Sequence, residues 1–417
     1  MLLLSLRNLI TRPLTVGIAV ILLALGLGLA TALLQLQQQM QAQFERNLAG
    51  IDMVLSAKGS PLQIVLCSMY HVDAPTGNIP LSAARPFLNP KHPLIKIAVP
   101  LALGDSYRAH RIVGTTPQFL DIYAAQLSKG ALFKKTLEVV AGSDAAERLG
   151  LHIGSTFTSE HGLSADSVMM HEGHTFKVVG ILSPTGSVAD QLLLTPIESI
   201  WEMHESHDET AQHTPPTSSD STTAKFGNTA LLAASPDQEL TSILIQYRAK
   251  NFQTLQMPRN INENTDLQAA SPAYEINKLA YQTGLGFEAM KVLAYCIVGV
   301  SALSVLLSLL AALKDRRQEL ALMRVMGGTR LGMFGLIAAE GVWIALLGSI
   351  LGLVLGHSAI GLIAEHLQTQ YRYHISAWQW LPAEGWLVIG ALGIGLLAAA
   401  IPAWLTYQLD ISRTLSE

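Results

Sequence analysis

Thirteen histidines are spread unevenly along the chain of 417 residues, and ten of them lie in one long region of ordinary polarity. His171 and His174 lie three residues apart, and the stretch HESHDETAQH holds His204, His207 and His213 among acidic side chains. Imidazole and carboxylate groups are common zinc ligands, so these five histidines are candidate ligands for zinc or a similar ion. The alternative is that they are solvated residues of polar loops, in which scattered histidines are common.

A second charged group lies in KDRRQELALMRVMGGTR, residues 314–330, with a long apolar stretch on either side. The segment has five cations and two acids, whereas the whole chain has a net charge of −4. Positive charge close to apolar segments is typical of the cytoplasmic loops of membrane proteins. The segment is therefore a candidate cytoplasmic loop.

Apolar residues of this loop recur at helical spacing, at Leu320, Met323 and Met326, while Arg317 and Arg324 lie on the other side. A pair of glycines follows directly, which is a common end for a helix. The pattern predicts a short amphipathic helix at the inner membrane face, whose apolar side takes force from a partner. The alternative is a solvated helix that anchors the chain by its charge alone.

The composition indicates a membrane protein. Hydrophobic residues make up 50% of the chain, charged residues make up 14%, and the mean hydropathy is +0.34, whereas soluble domains usually have about a quarter charged residues. The net charge of −4 and the pI near 6.4 argue against nucleic acid as a partner. The two cysteines, Cys67 and Cys296, form no disulfide framework.

Four apolar stretches are long enough to cross a bilayer, which takes about 20 residues. One precedes and three follow a long region of soluble patterning, and the first is longer than the apolar part of a cleaved signal. The predicted division is 1–14 (cytoplasmic amphipathic helix), 15–36 (first transmembrane helix), 37–289 (extracytoplasmic domain with helical stalks), 290–313 (second transmembrane helix), 314–333 (cytoplasmic coupling loop), 334–364 (third transmembrane helix), 365–385 (short outer loop), 386–407 (fourth transmembrane helix) and 408–417 (cytoplasmic tail).

The distribution of Lys and Arg predicts which side each segment faces. With the N-terminus inside, eight cations lie on the cytoplasmic side, and the loop between the third and fourth spans holds only Arg372. The reverse orientation would move the eight cations across the membrane, against the enrichment of cytoplasmic loops in Lys and Arg. Both termini are therefore predicted to be cytoplasmic and the large domain extracytoplasmic.

The large domain has the pattern of an α+β fold with mixed sheets. Strand patterns such as TFKVVGIL alternate with helical ones such as PLQIVLCSMYHVD. The stretches LIKIAVPLALG and SYRAHRIVGTT predict a hairpin that turns at Gly104 and Asp105. The first span is expected to continue outwards as a helix through QLQQQMQAQFERNLAG, and SPAYEINKLAYQTGLGFEAM is expected to lead as a helix into the second span.

The third span carries two features of its own. Gly348, Gly352 and Gly356 lie four residues apart, which is the spacing that lets transmembrane helices approach closely. Glu340 lies about two turns into the membrane, where a charge is costly. We expect it to pair with a cation such as Arg330 or to be protonated, because a lone carboxylate makes no proton pathway.

The motif RRQELALMRVMGGTR, followed by AAEGVWIALLGSILGLVLG, resembles the FtsX-like permease domain of ABC transporters of the MacB, LolC and LolE type. The stretches VVAGSDAAERLGLHIGSTFT, FKVVGILSPTGSVADQLLLTPIESI and VGTTPQFLDIY resemble the MacB-type periplasmic core domain. The resemblance covers essentially the whole chain. It implies a helical membrane protein with one plus three transmembrane helices and a large α+β domain of that type, in the bacterial inner membrane.

The resemblance implies a mechanotransmission permease, in which a cytoplasmic ATPase pulls on the helix between the second and third spans. The role of coupling to the ATPase would fall on Arg317, Glu319, Leu320, Met323, Arg324 and Met326. The chain has no GxxxxGK[ST] phosphate-binding loop, so ATP and magnesium are expected in a separate subunit and not in this chain. A single membrane half implies two ATPase copies and a second permease copy.

Two alternatives stay open at this stage. One is an FtsX-like scaffold whose large domain activates a periplasmic partner such as a cell-wall hydrolase. The other is a zinc-linked permease that uses the histidine-rich outer loop. The sequence does not distinguish an export substrate from a periplasmic or outer-membrane partner.

Overall fold

The computed structural model describes residues 2–11, 13–161, 175–205, 227–315, 322–323, 325–327, 329–370 and 376–407. Contacts within the chain divide it into two compact units. The membrane unit comprises Met1–Gln41 and Gln282–Glu417, and the α+β unit comprises Ala42–Tyr281.

The helices are α1 (Leu2–Ile10), α2 (Pro13–Leu48), α3 (Pro61–Met69), α4 (Leu81–Leu88), α5 (Gln118–Ile122), α6 (Ser143–Leu149), α7 (Ile197–Glu205), α8 (Asn228–Leu231), α9 (Phe252–Asn264), α10 (Pro272–Asp315), α11 (Arg330–Gln370) and α12 (Pro382–Tyr407), with a 3-10 turn at Val188–Gln191.

The strands are β1 (Met53–Ala57), β2 (Ile79–Pro80), β3 (Ile95–Tyr107), β4 (His110–Thr115), β5 (Leu127–Gly130), β6 (Glu138–Ala141), β7 (Thr156–Phe157), β8 (Glu160–His161), β9 (Phe176–Leu182), β10 (Leu193–Pro196), β11 (Glu239–Leu240), β12 (Ser242–Tyr247) and β13 (Leu267–Ala270).

Four of these helices, α2, α10, α11 and α12, are long and apolar enough to cross a membrane. Each contains one of the four predicted spans and is longer than that span. The 36 residues of α2 reach about 54 Å, at 1.5 Å per residue, whereas a bilayer core is about 30 Å thick. The expected helical continuations beyond the first span and before the second are therefore present, as parts of α2 and α10.

The α+β unit is built on a mixed sheet in the order β13-β1-β12-β3-β4-β10-β6-β9-β5. Its central strands are buried on both faces, because successive side chains of a strand point to opposite sides. In β1, Met53 and Leu55 pack in one hydrophobic core and Val54 packs in the other. Helices α4, α6, α7, α8 and α9 supply residues to the first core, and α3 and α5 supply residues to the second.

The predicted hairpin is present, but its turn is not at Gly104 and Asp105. Strands β3 and β4 turn at Arg108 and Ala109, whose φ angles of 44° and 62° are both positive. Two central residues with positive φ give the turn whose twist suits a two-residue hairpin. The pairing register shifts by one residue between Leu103 and Ser106, so Gly104 and Asp105 lie in a β-bulge. Glycine is common in bulges as well as in turns, which is why the sequence pattern was read as a turn.

Helices α2 and α10 both belong to the two units, because the unit boundaries fall inside them. At the end of α2, Phe44 and Leu48 pack against the second core, and the buried Asn47 accepts a hydrogen bond from the Val188 amide at 3.0 Å. At the start of α10, Ile276 is buried in the same core. Both helix ends are therefore integral parts of the α+β fold.

Candidate functional site

In the described part of the predicted coupling helix, residues 322, 323 and 325 are helical and residues 326–327 form a turn. The Met326 amide donates a hydrogen bond to the Leu322 carbonyl at 3.0 Å, the four-residue step of an α-helix. Gly327 follows with a φ of 99°, the left-handed conformation that commonly ends a helix at glycine. Arg317, Glu319, Leu320 and Arg324 lie outside the described residues, so their predicted roles stay predictions.

Met323 does not lie on an exposed face with Met326, as the sequence pattern predicted. Its side chain is half-buried against Leu313 of α10, Met333 and Ile337 of α11, and Ala403 of α12. A short helix that joins two transmembrane helices has an apolar side towards the bundle, and Met323 fills that side. The predicted coupling role of Met323 stays a prediction, and its packing was not foreseen because helical spacing alone does not tell which apolar side of the helix the bundle covers.

The exposed apolar face of the segment is formed by Leu322, Val325 and Met326. These side chains are 53%, 62% and 78% exposed, respectively. They follow the i, i+3, i+4 spacing of one helix face. We call these three residues the exposed stripe.

The predicted packing glycines of α11 lie against α2. A Cβ at Gly348 would come 2.8 Å from Leu23, one at Gly352 would come 3.0 Å from the Ala24 carbonyl, and one at Gly356 would come 2.9 Å from the Gly28 carbonyl. Distances of 2.8 to 3.0 Å are at or below the closest approach of real Cβ atoms, so glycine at these positions allows the two helices to lie this close.

A second close approach joins α11 to α12. A Cβ at Gly341 would lie 2.6 Å from the Gly395 carbonyl, and one at Gly395 would lie 2.7 Å from the Gly341 carbonyl. Sequence reasoning missed this pair because the two glycines belong to different helices and share no spacing. The one signal available for Gly341 was its position seven residues before Gly348, which places the two glycines on nearby parts of the α11 surface.

Glu340 is buried in the membrane unit, and Asn8 of α1 donates a hydrogen bond to its carboxylate at 3.0 Å. Its predicted partner was Arg330, whose side chain lies outside the part of the chain that the structure describes. The Asn8 contact fastens α1 to α11 at the base of the membrane unit. Leu9 of α1 adds an apolar contact to the core formed with Ala19, Val305 and Ile344.

The zinc prediction is not tested. His171, His174, His207 and His213 lie outside the described residues, and His204 is described only as part of the backbone of α7. Among the described residues, no group of three or more His, Cys, Asp and Glu side chains is arranged to hold a metal ion.

A buried cluster that the sequence did not indicate lies where α3 ends. The Arg111 guanidinium donates from Nη1 to the Cys67 sulfur at 3.6 Å and from Nη2 to the Asp73 carbonyl at 2.9 Å. His71 takes a left-handed φ of 54° and is 7% exposed. Neither of its ring nitrogens has a hydrogen-bond partner among the residues that the structure describes.

Burial, with a smaller contribution from the positive charge of Arg111, lowers the pKa of His71 from 6.5 to about 3. Burial also raises the pKa of the Cys67 thiol, an effect that Arg111 opposes. The imidazole and the thiol are therefore both neutral near pH 7. A neutral buried thiol is a poor nucleophile, so this cluster is suited to packing and not to covalent chemistry.

The arrangement of parts agrees with two family models. The MacB-like periplasmic core domain matches residues 16–242, and the FtsX-like permease C-terminal domain matches residues 291–411. The first match alone covers more than half of the chain. The chain belongs to the MacB/FtsX-type family of ABC transporter permeases.

No curated protein matches this permease. Among solved structures, the periplasmic region of MacB from Actinobacillus actinomycetemcomitans is 12% identical, with a TM-score of 0.33, over 56% of this chain and 95% of that chain. The family assignment confirms the resemblance drawn from the motifs, and the fold class is confirmed with it. The permease is a membrane subunit of a bacterial transporter and is not itself the catalytic subunit.

We expect Gly352→Ala to destabilise the permease by about 1–3 kcal/mol, because the added methyl overlaps the Ala24 carbonyl and the Leu27 Cβ. The measurement is the thermal unfolding midpoint of the purified full chain in one detergent. Gly299→Ala in α10 is the matched control, since a Cβ there meets no described atom within 4 Å. Equal midpoints for the two variants would contradict the close approach of α2 and α11.

We expect the α+β unit to lose stability as the pH falls below about 6.5, because His71 stays neutral when folded and takes up a proton when unfolded. The contribution of His71 is fully present above that pH and decreases towards pH 3, by about 2 kcal/mol between pH 7 and pH 5. Hydrogen exchange of α3 in the full chain, corrected for the intrinsic rate at each pH, measures this loss.

His71→Asn is expected to remove most of that pH dependence, since asparagine tolerates the left-handed backbone and does not titrate. The matched control is His152→Asn, a change at an exposed histidine of the same unit, which should retain it. A His71→Asn chain with the same pH dependence as the unchanged permease would show that His71 is not the responsible group.

Proposed function

We propose that the permease transmits motion from a cytoplasmic ATPase to its α+β domain. The observation that carries the proposal is that α2 and α10 are continuous helices shared by the two units, with their ends built into the core of the α+β fold. A continuous hydrogen-bonded helix displaces its far end when its near end moves. This continuity supports mechanical transmission across the membrane more than conduction of a small solute.

The input surface in this proposal is the exposed stripe of Leu322, Val325 and Met326. Next to the stripe in sequence is Met323, whose side chain packs against a cluster that contains residues of α10, α11 and α12. A partner that pulls on the stripe would therefore load three transmembrane helices through one side chain. Because α10 is one of them, the load has a direct route to the α+β unit.

The ATPase is proposed to be a separate polypeptide, present in two copies with two copies of the permease. The chain carries no phosphate-binding loop of the GxxxxGK[ST] type, and the family is one of transporter membrane subunits. The orientation follows from the cations: the segment at 314–330 is proposed to be cytoplasmic and the α+β unit periplasmic. The work is done on a substrate or partner outside the inner membrane.

We expect Val325→Glu to abolish ATPase coupling without harming the permease itself. Val325 is 62% exposed in the single chain, so a carboxylate there is solvated until the ATPase covers it. Burying an unpaired carboxylate costs several kcal/mol, which should reduce the ABC ATPase recovered with tagged full-length permease by about tenfold or more. Co-purification from membranes, with the nucleotide-binding subunit identified by mass spectrometry, measures the loss.

Val325→Thr is the matched control for this substitution, because it keeps the shape of the side chain and adds no charge. Met323→Glu is expected to fail differently, by lowering the amount of folded permease, since Met323 packs inside the membrane unit. Recovery of active ATPase with Val325→Glu at the level of the control would refute the exposed stripe as the docking face. ATP hydrolysis by the purified permease alone would refute the separate ATPase.

The proposed orientation predicts a labelling pattern in intact cells. In a Cys296→Ser background, a membrane-impermeant thiol reagent should modify Ser128→Cys, at an exposed site of β5 in the α+β unit. It should leave Val325→Cys unmodified until the membrane is permeabilised. Cys67 is buried and should contribute no background. Modification of Val325→Cys in intact cells would reverse the topology.

A further inference from the structure

Four buried polar side chains meet within the membrane unit where α2, α11 and α12 come together. They are Gln35 and Gln39 of α2, His357 of α11 and Glu384 of α12, and their exposures are 0%, 8%, 1% and 2%. They also contact the backbone of residues 376–379, which lead into α12. We call these four side chains the polar junction.

The side-chain amides of Gln39 and Gln35 form a chain of hydrogen bonds that leads from the Ser376 backbone N–H to the Glu384 carboxylate. Ser376 donates its backbone N–H to Gln39 Oε1 at 2.8 Å, and Gln39 Nε2 donates to Gln35 Oε1 at 2.8 Å and to the Ser376 carbonyl at 2.9 Å. Gln35 Nε2 then donates to the Gln379 carbonyl and to Glu384 Oε1. In both glutamines the side-chain NH2 group donates to two acceptors and the side-chain oxygen accepts from one donor. Glu384 Oε1 therefore already accepts a hydrogen bond, from Gln35.

His357 lies between two groups that act as acceptors. Its Nδ1 is 2.7 Å from the Ala377 carbonyl oxygen, which has no proton to donate, so Nδ1 carries the hydrogen. Its Nε2 is 3.3 Å from Glu384 Oε2. In a neutral imidazole with its proton on Nδ1, Nε2 has a lone pair that would face a carboxylate oxygen, and the two would repel.

We propose that the His357–Glu384 pair is a proton-binding site, which holds one proton between Nε2 and Oε2. Two arrangements satisfy the geometry: an imidazolium beside a carboxylate, or a neutral imidazole that accepts from a carboxylic acid. Both contain the same number of protons and leave the pair with no net charge. A pair of residues this deeply buried is stable only in such a form, because an uncompensated buried charge is costly.

Loss of the proton would break the junction at its centre, between α11 and α12. The Glu384 carboxylate, which is 2% exposed, would then face the lone pair of His357 Nε2. The site is therefore occupied at low pH, and the packing of the three helices weakens as the pH rises through the point of proton release. Among the side chains that the structure describes, the titratable members of the junction are His357 and Glu384, and the others are the two amides.

The decisive variant is Glu384→Gln, because glutamine has the shape and hydrogen-bonding pattern of the protonated acid. Its oxygen can accept from Gln35 and its amide can donate to His357 Nε2, so the junction is complete without a titrating proton. The thermal unfolding midpoint of the full chain in detergent should fall by several degrees when the proton is removed by alkalinisation of the unchanged permease. In Glu384→Gln the fall should be absent.

Glu288→Gln is the matched control, since Glu288 is an exposed carboxylate of α10 paired with Lys291 at 2.9 Å. It should retain the fall of the unchanged chain. An equal fall in Glu384→Gln and Glu288→Gln would overturn the proposal, because the pH dependence would then come from other groups.

A measurement on the unchanged chain keeps the proposal testable if Glu384→Gln does not fold. The His357 ring lies parallel to Trp378, at 5.6 Å between centroids, and 5.1 Å from Trp380. An imidazolium quenches neighbouring indoles, so raising the pH should increase tryptophan emission, by an amount that Trp378→Phe with Trp380→Phe removes.

If the proton resides on Glu384 instead, its carboxylic acid band should appear in the infrared spectrum and vanish on alkalinisation. Absence of both signals at neutral pH would overturn the proposal.

Discussion

The close approach of α2 and α11 is the constraint on which the membrane unit depends. Backbone meets backbone where Gly28 faces Gly352 and Gly356, and no side chain larger than hydrogen fits between them. This contact also sets what lies beyond it. Gln35 is seven residues past Gly28, about two helical turns, and therefore on the same face of α2. His357 directly follows Gly356, so the glycine contact delivers both residues to the polar junction.

Buried polar contacts hold the helix packing at two further points, the Asn8–Glu340 hydrogen bond and the polar junction. In an apolar bundle a buried polar side chain has few hydrogen-bonding partners. Each of these contacts therefore favours one relative position of the helices along their axes. Helix α10 is held differently. Val300, Leu303 and Leu307 are 57%, 55% and 57% exposed in the single chain, and α10 packs through a narrower line that includes Val305 and Leu309. The two helices shared with the α+β unit therefore differ in how firmly the bundle holds them.

In the segment between α10 and α11, packing against the bundle and the proposed contact with a partner fall to different side chains. Met323 fills a gap between three transmembrane helices, and the exposed stripe one step around the helix stays free for a partner. An apolar residue on either stripe looks the same in the sequence. Among the residues of this segment that the structure describes, Met323 packs against the cluster of Leu313, Met333, Ile337 and Ala403, whereas Leu322, Val325 and Met326 are exposed. The proposed docking face thus keeps Met326 of the predicted face and adds Leu322 and Val325.

Much of this architecture was already determined by the amino-acid sequence. Long apolar runs have no stable place in water, so the four membrane helices follow from composition, and the motifs identify the family. The Pro61–Met69 helix and the β9 strand also follow, because their patterns are local. The turn at Arg108 and Ala109, the inward side of Met323 and the partner of Glu340 do not follow. Each depends on which distant residue occupies the neighbouring space. The polar junction is the clearest case, since Gln35, His357 and Glu384 are separated by hundreds of residues or lie on different helices. Only tertiary packing brings an imidazole and a carboxylate together in a place dry enough to require a shared proton.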